Sequence, residues 1–523
     1  MHMHPNSSIL LTGLFCAGLS AQQQFVPTSS LNASSLPFLP TSGRTVVAAG
    51  DLDGDGDMDL VAGLDPAPFS GPSILLLRNG VLAGGISEAY GAFSNWSPPS
   101  ITRRDRIFDI DVFDADNDGD QDILYVTDTV VGASTLTQVA LLRQVSPGVF
   151  SAPQFVYATQ TSIPLTAEIA DMNGDGRLDV VIGLAPALGQ AGAGVVLLTN
   201  NGLGFTSTVL GPAYPGMWAA AIAIADIDGD GDLDIVTGNV AGQGGNPQNA
   251  LYRNTGFGFA PTTVGMPFNA VDTQDVLLVD LTGTPLPELV VIDRNSTKTV
   301  HGNLGGTFGP AIATFTAGGF GSSNSGAAAD IDGDGDNDLV FGNAGTNTQV
   351  IVNNFGALVS TPTRITADGA SASTLLVDLD RDQDLDLVQG TSNAATSGVR
   401  AQINLHRQID LPTTVRIGTT LVHDWYDRPG YGNGHTPTLF LSPAPWVPRV
   451  EFAPFGFAGV DLTLASVSTL APAPSGKNSV PLNVPNTPGL IGQTFYWQWM
   501  IQPNGSPTTA WGLTNVVPLT FLP

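Results

Sequence analysis

The chain has 523 residues, a formal net charge of −28 and a mean hydropathy of +0.15, with 42% hydrophobic residues and only 12% charged. Forty-six acids against 18 bases argue against nucleic acid and anionic membrane surfaces as partners. The length is too great for one ordinary core, and 62 Gly with 38 Pro favour many short strands joined by turns over long helices.

The first element in chain order is an apolar run, SILLTGLFCAGLSA, with the small residue Ala21 before QQQF. It reads as an export signal over residues 1–21, although His2 and His4 stand where Lys or Arg is usual. Cys16 raises the alternative of a lipidated cysteine, against which stands Phe15 just before it. No other segment approaches the ~18 apolar residues of a membrane span. Cys16 is the only cysteine, so the exported chain would have no disulfide and would need another staple.

From residue 51 an acidic decapeptide recurs: DLDGDGDMDL, DADNDGDQDI, DMNGDGRLDV, DIDGDGDLDI, DLTGTPLPEL, DIDGDGDNDL and DLDRDQDLDL, seven copies starting 48 to 63 residues apart. Such a period marks a repeat architecture. An apolar run precedes each copy, a β-type run such as LVAG or VVIG follows, and a further run often ends in Asn before a Gly/Phe turn. Each unit reads as four short antiparallel strands, the form of a propeller blade. The seventh unit lacks its last strand, and QQQFVPTSS near the start resembles the missing piece. That match favours a closed ring of seven over an open solenoid.

Numbered from the first Asp, oxygen side chains recur at loop positions 1, 3, 5 and 9, with Gly at 6 and a backbone carbonyl available at 7. The first loop offers Asp51, Asp53, Asp55, Asp57 and Asp59, and the second Asp114, Asp116, Asp118, Asp120 and Asp122. The third has Asp171, Asn173, Asp175, Arg177 and Asp179; the fourth Asp226, Asp228, Asp230, Asp232 and Asp234. The sixth has Asp330, Asp332, Asp334, Asp336 and Asp338; the seventh Asp378, Asp380, Asp382, Asp384 and Asp386, with Gln383 in place of the turn Gly. Alternate residues of a tight loop converge on one centre, and Ca²⁺, which takes six to eight oxygens, fits them better than Mg²⁺. The fifth loop has Thr282, Thr284, Pro285 and Glu288 and is expected to be metal-free, leaving up to six ions. A solvated acidic turn is the alternative, opposed by the recurrence. An EF-hand would need Glu at position 12, where Ala62 and Ile182 stand inside β-type runs.

These loops resemble the calcium-binding FG-GAP repeats of integrin alpha chains and the related bacterial VCBS-type repeats, whose pattern D-x-[DN]-x-[DN]-G-x-x-D precedes an apolar strand and often Gly. Asp51 to Gly63, Asp226 to Gly238 and Asp330 to Gly342 match throughout, while the second and fifth copies have Val126 and Ile292 in place of the trailing Gly. The resemblance covers roughly residues 25–408. It implies an all-β, seven-bladed β-propeller with Ca²⁺ in hairpin loops, here assigned to residues 22–410.

Beyond residue 411 the acidic loops stop, four bases balance four acids, and five of the seven Trp occur: Trp425, Trp446, Trp497, Trp499 and Trp511. RIGTTLVHDW, GVDLTLASVS, NSVPLNVP, QTFYWQWMI and NVVPLTF read as strands of a small C-terminal β-sandwich over 411–523. TFYWQWMI is either a sugar-stacking strand or one aromatic face of a sandwich core. HDWYDRPGYGNGH, from His423 to His435, is read as a polar, aromatic-rich loop whose two His and two Asp could form a site, against which stands their lack of a defined spacing.

No cysteine nucleophile, H-E-x-x-H or G-x-S-x-G is present after the leader. The first reading is therefore a secreted or cell-surface, monomeric binding or adhesion scaffold for a glycan or protein ligand. The alternative is a carbohydrate-active lyase or hydrolase using the propeller funnel. A purely structural surface protein is the third reading.

Overall fold

A computed structural model describes residues 25–27, 44–64, 74–79, 94–96, 106–131, 134–186, 194–213, 216–241, 247–267, 272–294, 297–316, 323–331, 335–343, 348–353, 356–358, 363–365, 371–379, 385–391 and 399–404. Beyond these it describes 409–410, 414–427, 435–443, 445–452, 456–460, 466–469, 476–503, 512–513 and 517–523. The leader with Cys16, the ligand candidates Asp332, Asp334, Asp380, Asp382 and Asp384, and Trp511 lie outside them. Among the described residues the fold is all-β apart from one short 3₁₀ turn at Pro488–Leu490.

Residues up to 404 form seven four-stranded antiparallel sheets, one per repeat unit. Unit 3 is typical. Ser162–Ala170 pairs with Asp179–Pro186, that strand with Val195–Asn200, and that with Phe205–Gly211. The acidic decapeptide joins the first strand to the second, and its last carboxylate opens the second strand. In the seventh sheet the fourth strand is Phe25–Pro27, antiparallel to Val399–Asn404, so the chain start supplies the strand that unit 7 lacks.

Apolar side chains explain why the second strands are continuously hydrophobic rather than alternating. Leu60, Ala62 and Leu64 pack with Val377, Leu379 and Val388 of unit 7, whereas Val61 of the same strand packs with Ile107 and Ile123 of unit 2. Both faces of each second strand are buried, each against a different neighbour. Further clusters join units 2 and 3, 3 and 4, 4 and 5, 5 and 6, and 6 and 7. Unit 1 thus packs against both unit 2 and unit 7.

The trailing Gly of the motif lies where adjacent units approach most closely. A Cβ on Gly183 would stand 2.5 Å from the backbone oxygen of Ala219, and one on Gly390 would collide with that of Thr45. Unit 5 carries Ile292 instead, and there the facing residue is Gly326, whose own Cβ would meet the Ile292 side chain at 2.5 Å. The small residue has moved across the interface.

An asparagine at the end of the third strand clips most units to the one before. Asn200 Nδ2 donates to Ala115 O at 2.8 Å, Asn254 to Met172 O at 3.4 Å, Asn303 to Ile227 O at 2.9 Å, Asn353 to Leu281 O at 2.7 Å and Asn404 to Ile331 O at 2.8 Å. Each acceptor is position 2 of the preceding acidic loop. Asn79 of unit 1 makes the same bond, at 2.8 Å, to Leu379 O of unit 7. Unit 2 has Gln144 at this point, and the amide of Gly148 donates to Leu52 O instead.

Residues 409–523 form other sheets. Ile409–Asp410, Thr420–Asp427 and Gly476–Asn483 make one, and Thr414–Arg416, Val517–Leu522, Thr494–Pro503, His435–Ser442 and Ser466–Thr469 belong to a second. Two expectations are corrected here. His423–Asp427 lies inside a strand paired with Gly476–Val480, and His435 opens the next strand, so the stretch is not one loop. GVDLTLASVS is not one strand: Gly456–Val460 pairs with Pro445–Phe452, whereas Ser466–Thr469 pairs with Thr438–Leu441. Trp497 is 7% exposed, so it is not free to stack on a sugar.

Candidate metal centres

The acidic loops owe their shape to their own carboxylates. Position 1 closes the turn: Asp51 accepts from the amides of Gly54 and Gly56 at 2.8 and 2.9 Å, and Asp226 from those of Gly229 and Gly231 at 2.7 and 3.0 Å. Asp171 and Asp330 hold Gly176 and Gly335 in the same way. Position 6 has φ between 82° and 96° at Gly56, Gly119, Gly176, Gly231 and Gly335, which is why glycine stands there. Position 5 caps position 7, as in Asp118 accepting from Asp120 N at 3.0 Å.

Position 9 is the buried anchor. Asp59, Asp179, Asp234, Asp338 and Asp386 are fully buried and Asp122 nearly so. One oxygen of each accepts from the amide of loop position 2, for example Ile331 N to Asp338 at 2.9 Å. The other accepts at 2.7 Å from an amide at the end of the third strand, that of Asn79, Gln144, Asn200, Asn254, Asn353 or Asn404. Burial pushes Asp59 up to about 7 and Asp122 and Asp234 up to about 6, against the lowering effect of these two donors.

Several of these clusters could hold a metal ion. Oxygens of Asp51, Asp53 and Asp59 lie within 4.8 Å of one another, as do those of Asp114, Asp116 and Asp118, and those of Asp226, Asp228 and Asp230. Asp116 Oδ1 and Asp228 Oδ1 are buried with no hydrogen-bond donor among the described residues. An all-oxygen donor set with orphaned carboxylate oxygens suits a hard divalent cation. In loop 3, Arg177 folds back, with Nη2 2.5 Å from Asp175 Oδ2 and Nε donating to Asn200 O at 3.1 Å. In loop 5, Thr282 Oγ1 donates to Glu288 Oε1 at 2.7 Å and Thr284 Oγ1 reaches the same oxygen at 3.3 Å. There hydroxyl donors satisfy the carboxylate from within the protein.

A model of the FG-GAP-like repeat matches residues 171–237, 280–341 and 330–388. The chain contains FG-GAP-like repeats. The matched FG-GAP segments span loops 3 to 7, including loop 5 with its threonines. No curated protein matches the chain.

Two features were not anticipated from the sequence. Arginines distant in sequence reach the acidic loops: Arg78 pairs with Asp53, Arg143 with Asp116 and Arg253 with Asp228. The acidic loops are therefore not without basic neighbours. The second feature is a group of carboxylates on the first strands of units 2, 3 and 5. Asp109 accepts from Thr166 Oγ1 at 2.8 Å and Ala167 N at 3.0 Å, and Asp275 accepts from Gly326 N at 2.8 Å. Each follows the bulge of its strand and binds the next unit. Burial raises Asp275 to about 7 and Glu168 to about 8, with Asp109 adding to both. Asp111 is raised well above the carboxylate range by burial and by Asp109 and Glu168. Mutual influence among units 2, 3 and 5 means that their first strands converge. An acid within an alternating apolar strand, as in FDIDVF and LTAEIA, is the signal that could have found them.

Proposed function

We propose that the chain is a seven-bladed, calcium-stabilised β-propeller carrying a C-terminal β-sandwich, and that it serves as an extracellular binding or adhesion scaffold for a glycan or protein ligand. The contact of Asn79 with Leu379 supports the ring, because it repeats between units 1 and 7 the clip found between successive units. Seven sheets packed through seven clusters, with first strands converging, support the same reading. The apolar leader supports export, and calcium takes the stapling role that disulfides have in many exported proteins.

The observation that carries the calcium reading is the gathering of three carboxylates in each of loops 1, 2 and 4. Loops 3, 6 and 7 are assigned by their sequence pattern and loop 5 is left metal-free. Among the described residues no helix is long and apolar enough to cross a membrane. Binding is put before catalysis because Asp109 and Asp275, two of the carboxylates on the first strands, each accept from a backbone amide of the next unit.

The test is thermal melting with and without a chelator. Extracellular modules of this kind bind with Kd near ~1 mM, so each site contributes about 1 kcal/mol at a few millimolar calcium by mass action. Chelation lowers Tm markedly, and Ca²⁺ restores it more fully than Mg²⁺. An unchanged Tm counts against the calcium sites.

A further inference from the structure

The arginines that reach the loops share one position. Arg78, Arg143 and Arg253 each lie within one residue of the end of the third strand, directly before Asn79, Gln144 and Asn254. All three place a guanidinium nitrogen on Oδ2 of loop position 3: Arg78 on Asp53, Arg143 on Asp116, and Arg253 on Asp228 at 3.2 Å. Arg78 also lies 3.3 Å from Asp55, and Arg253 Nη2 donates to Gly306 O at 2.5 Å. The other units have Thr199, Gly302, Val352 and Ile403 at this position. Among the described residues, the three loops with an arginine are the same three in which carboxylates converge. In Asp116 and Asp228 the guanidinium takes one oxygen and leaves the other, buried and without a donor, for the cluster.

We propose that Arg78, Arg143 and Arg253 are tethered counter-cations that weaken divalent-ion binding by their own loops and hold those loops in shape when the ion leaves. The inference rests on reading the loops as cation sites. Each guanidinium is attracted by the free carboxylates and repelled by a bound divalent ion, so it stabilises the ion-free loop more than the loaded one. The arginine side chains are 43%, 22% and 36% exposed, so solvent screens the effect. An influence of about two- to fivefold on each site's affinity follows from the range of partly exposed ion pairs.

The test compares the full chain with the triple variant Arg78→Leu, Arg143→Leu, Arg253→Leu and with the corresponding triple lysine variant. Calcium alone is titrated calorimetrically after chelation, and ion-free melting is recorded in chelator. In the leucine variant three sites tighten, its ion-free Tm falls, and its calcium-induced rise in Tm grows; the lysine variant stays near the parent. Unchanged or weaker calcium binding in the leucine variant, with the parent binding normally, overturns the proposal. A parent that binds no calcium refutes the underlying reading as well. If the leucine variant folds only with calcium, release into excess chelator is timed instead. Slower release than the parent supports the proposal and equal or faster release overturns it.

Discussion

Replacing Asn79 by Ala probes whether the first and seventh units are neighbours. Asn79 is 1% exposed, and its Nδ2 donates to Leu379 O at 2.8 Å and Met58 O at 3.2 Å. Truncation leaves two carbonyls without this donor, each costing about 1–3 kcal/mol where water cannot reach it, so the expected loss is about 2–6 kcal/mol. Asn353→Ala is the matched control, since Asn353 is equally buried and donates to Leu281 O at 2.7 Å and Asn337 O at 3.1 Å between units 5 and 6. Were unit 1 not seated on unit 7, Asn79→Ala would lose only the bond to its own unit, about half the penalty. Urea unfolding of both variants and the parent, followed by intrinsic fluorescence, measures the difference. Equal losses are predicted. A loss for Asn79→Ala of half or less that of Asn353→Ala would refute the closure.

Stability should also fall as pH rises from about 4 to 8, because Glu168 and Asp275 have pKa values raised in the folded state to about 8 and 7. Their contribution is complete below the unfolded values and is lost as pH passes the folded ones. Asp109 and Asp111, with Arg44 as the facing cation, share this environment. Glu168→Gln should flatten the alkaline side of a Tm–pH profile, and an unaltered profile would count against the placement. Gly183→Ala, which drives a methyl onto Ala219 O, should cost about 1–3 kcal/mol by overpacking; a neutral effect on urea unfolding would mean that units 3 and 4 pack less closely than described.

The repeat was legible because its chemistry is local. An acidic decapeptide with Gly at position 6 states its own loop geometry, and flanking apolar runs state the strands. Even the strand Phe25–Pro27 could be matched to its distant partner by pattern. Long-range effects were not legible. Arg78 lies 25 residues from Asp53, and only the pairing of Leu60 with Leu77 shows that it returns to the loop. Position 9 read simply as a ligand, yet its two oxygens also organise the loop and the end of the third strand. His423–Trp425 was read both as the end of a strand and as the start of a loop beside Gly and Pro, and its pairing with Asn478–Val480, more than 50 residues away, decides for the strand. Tertiary pairing there outweighs local composition.

Counting bound metal tests the central claim most directly. The purified chain, stripped with chelator and dialysed against ~1 mM calcium, is analysed for metal per protein. The account predicts several calcium ions, no more than six, with the count falling by one in Asp228→Ala, which removes a carboxylate from loop 4. Retention of no calcium above that in the dialysis buffer would contradict it.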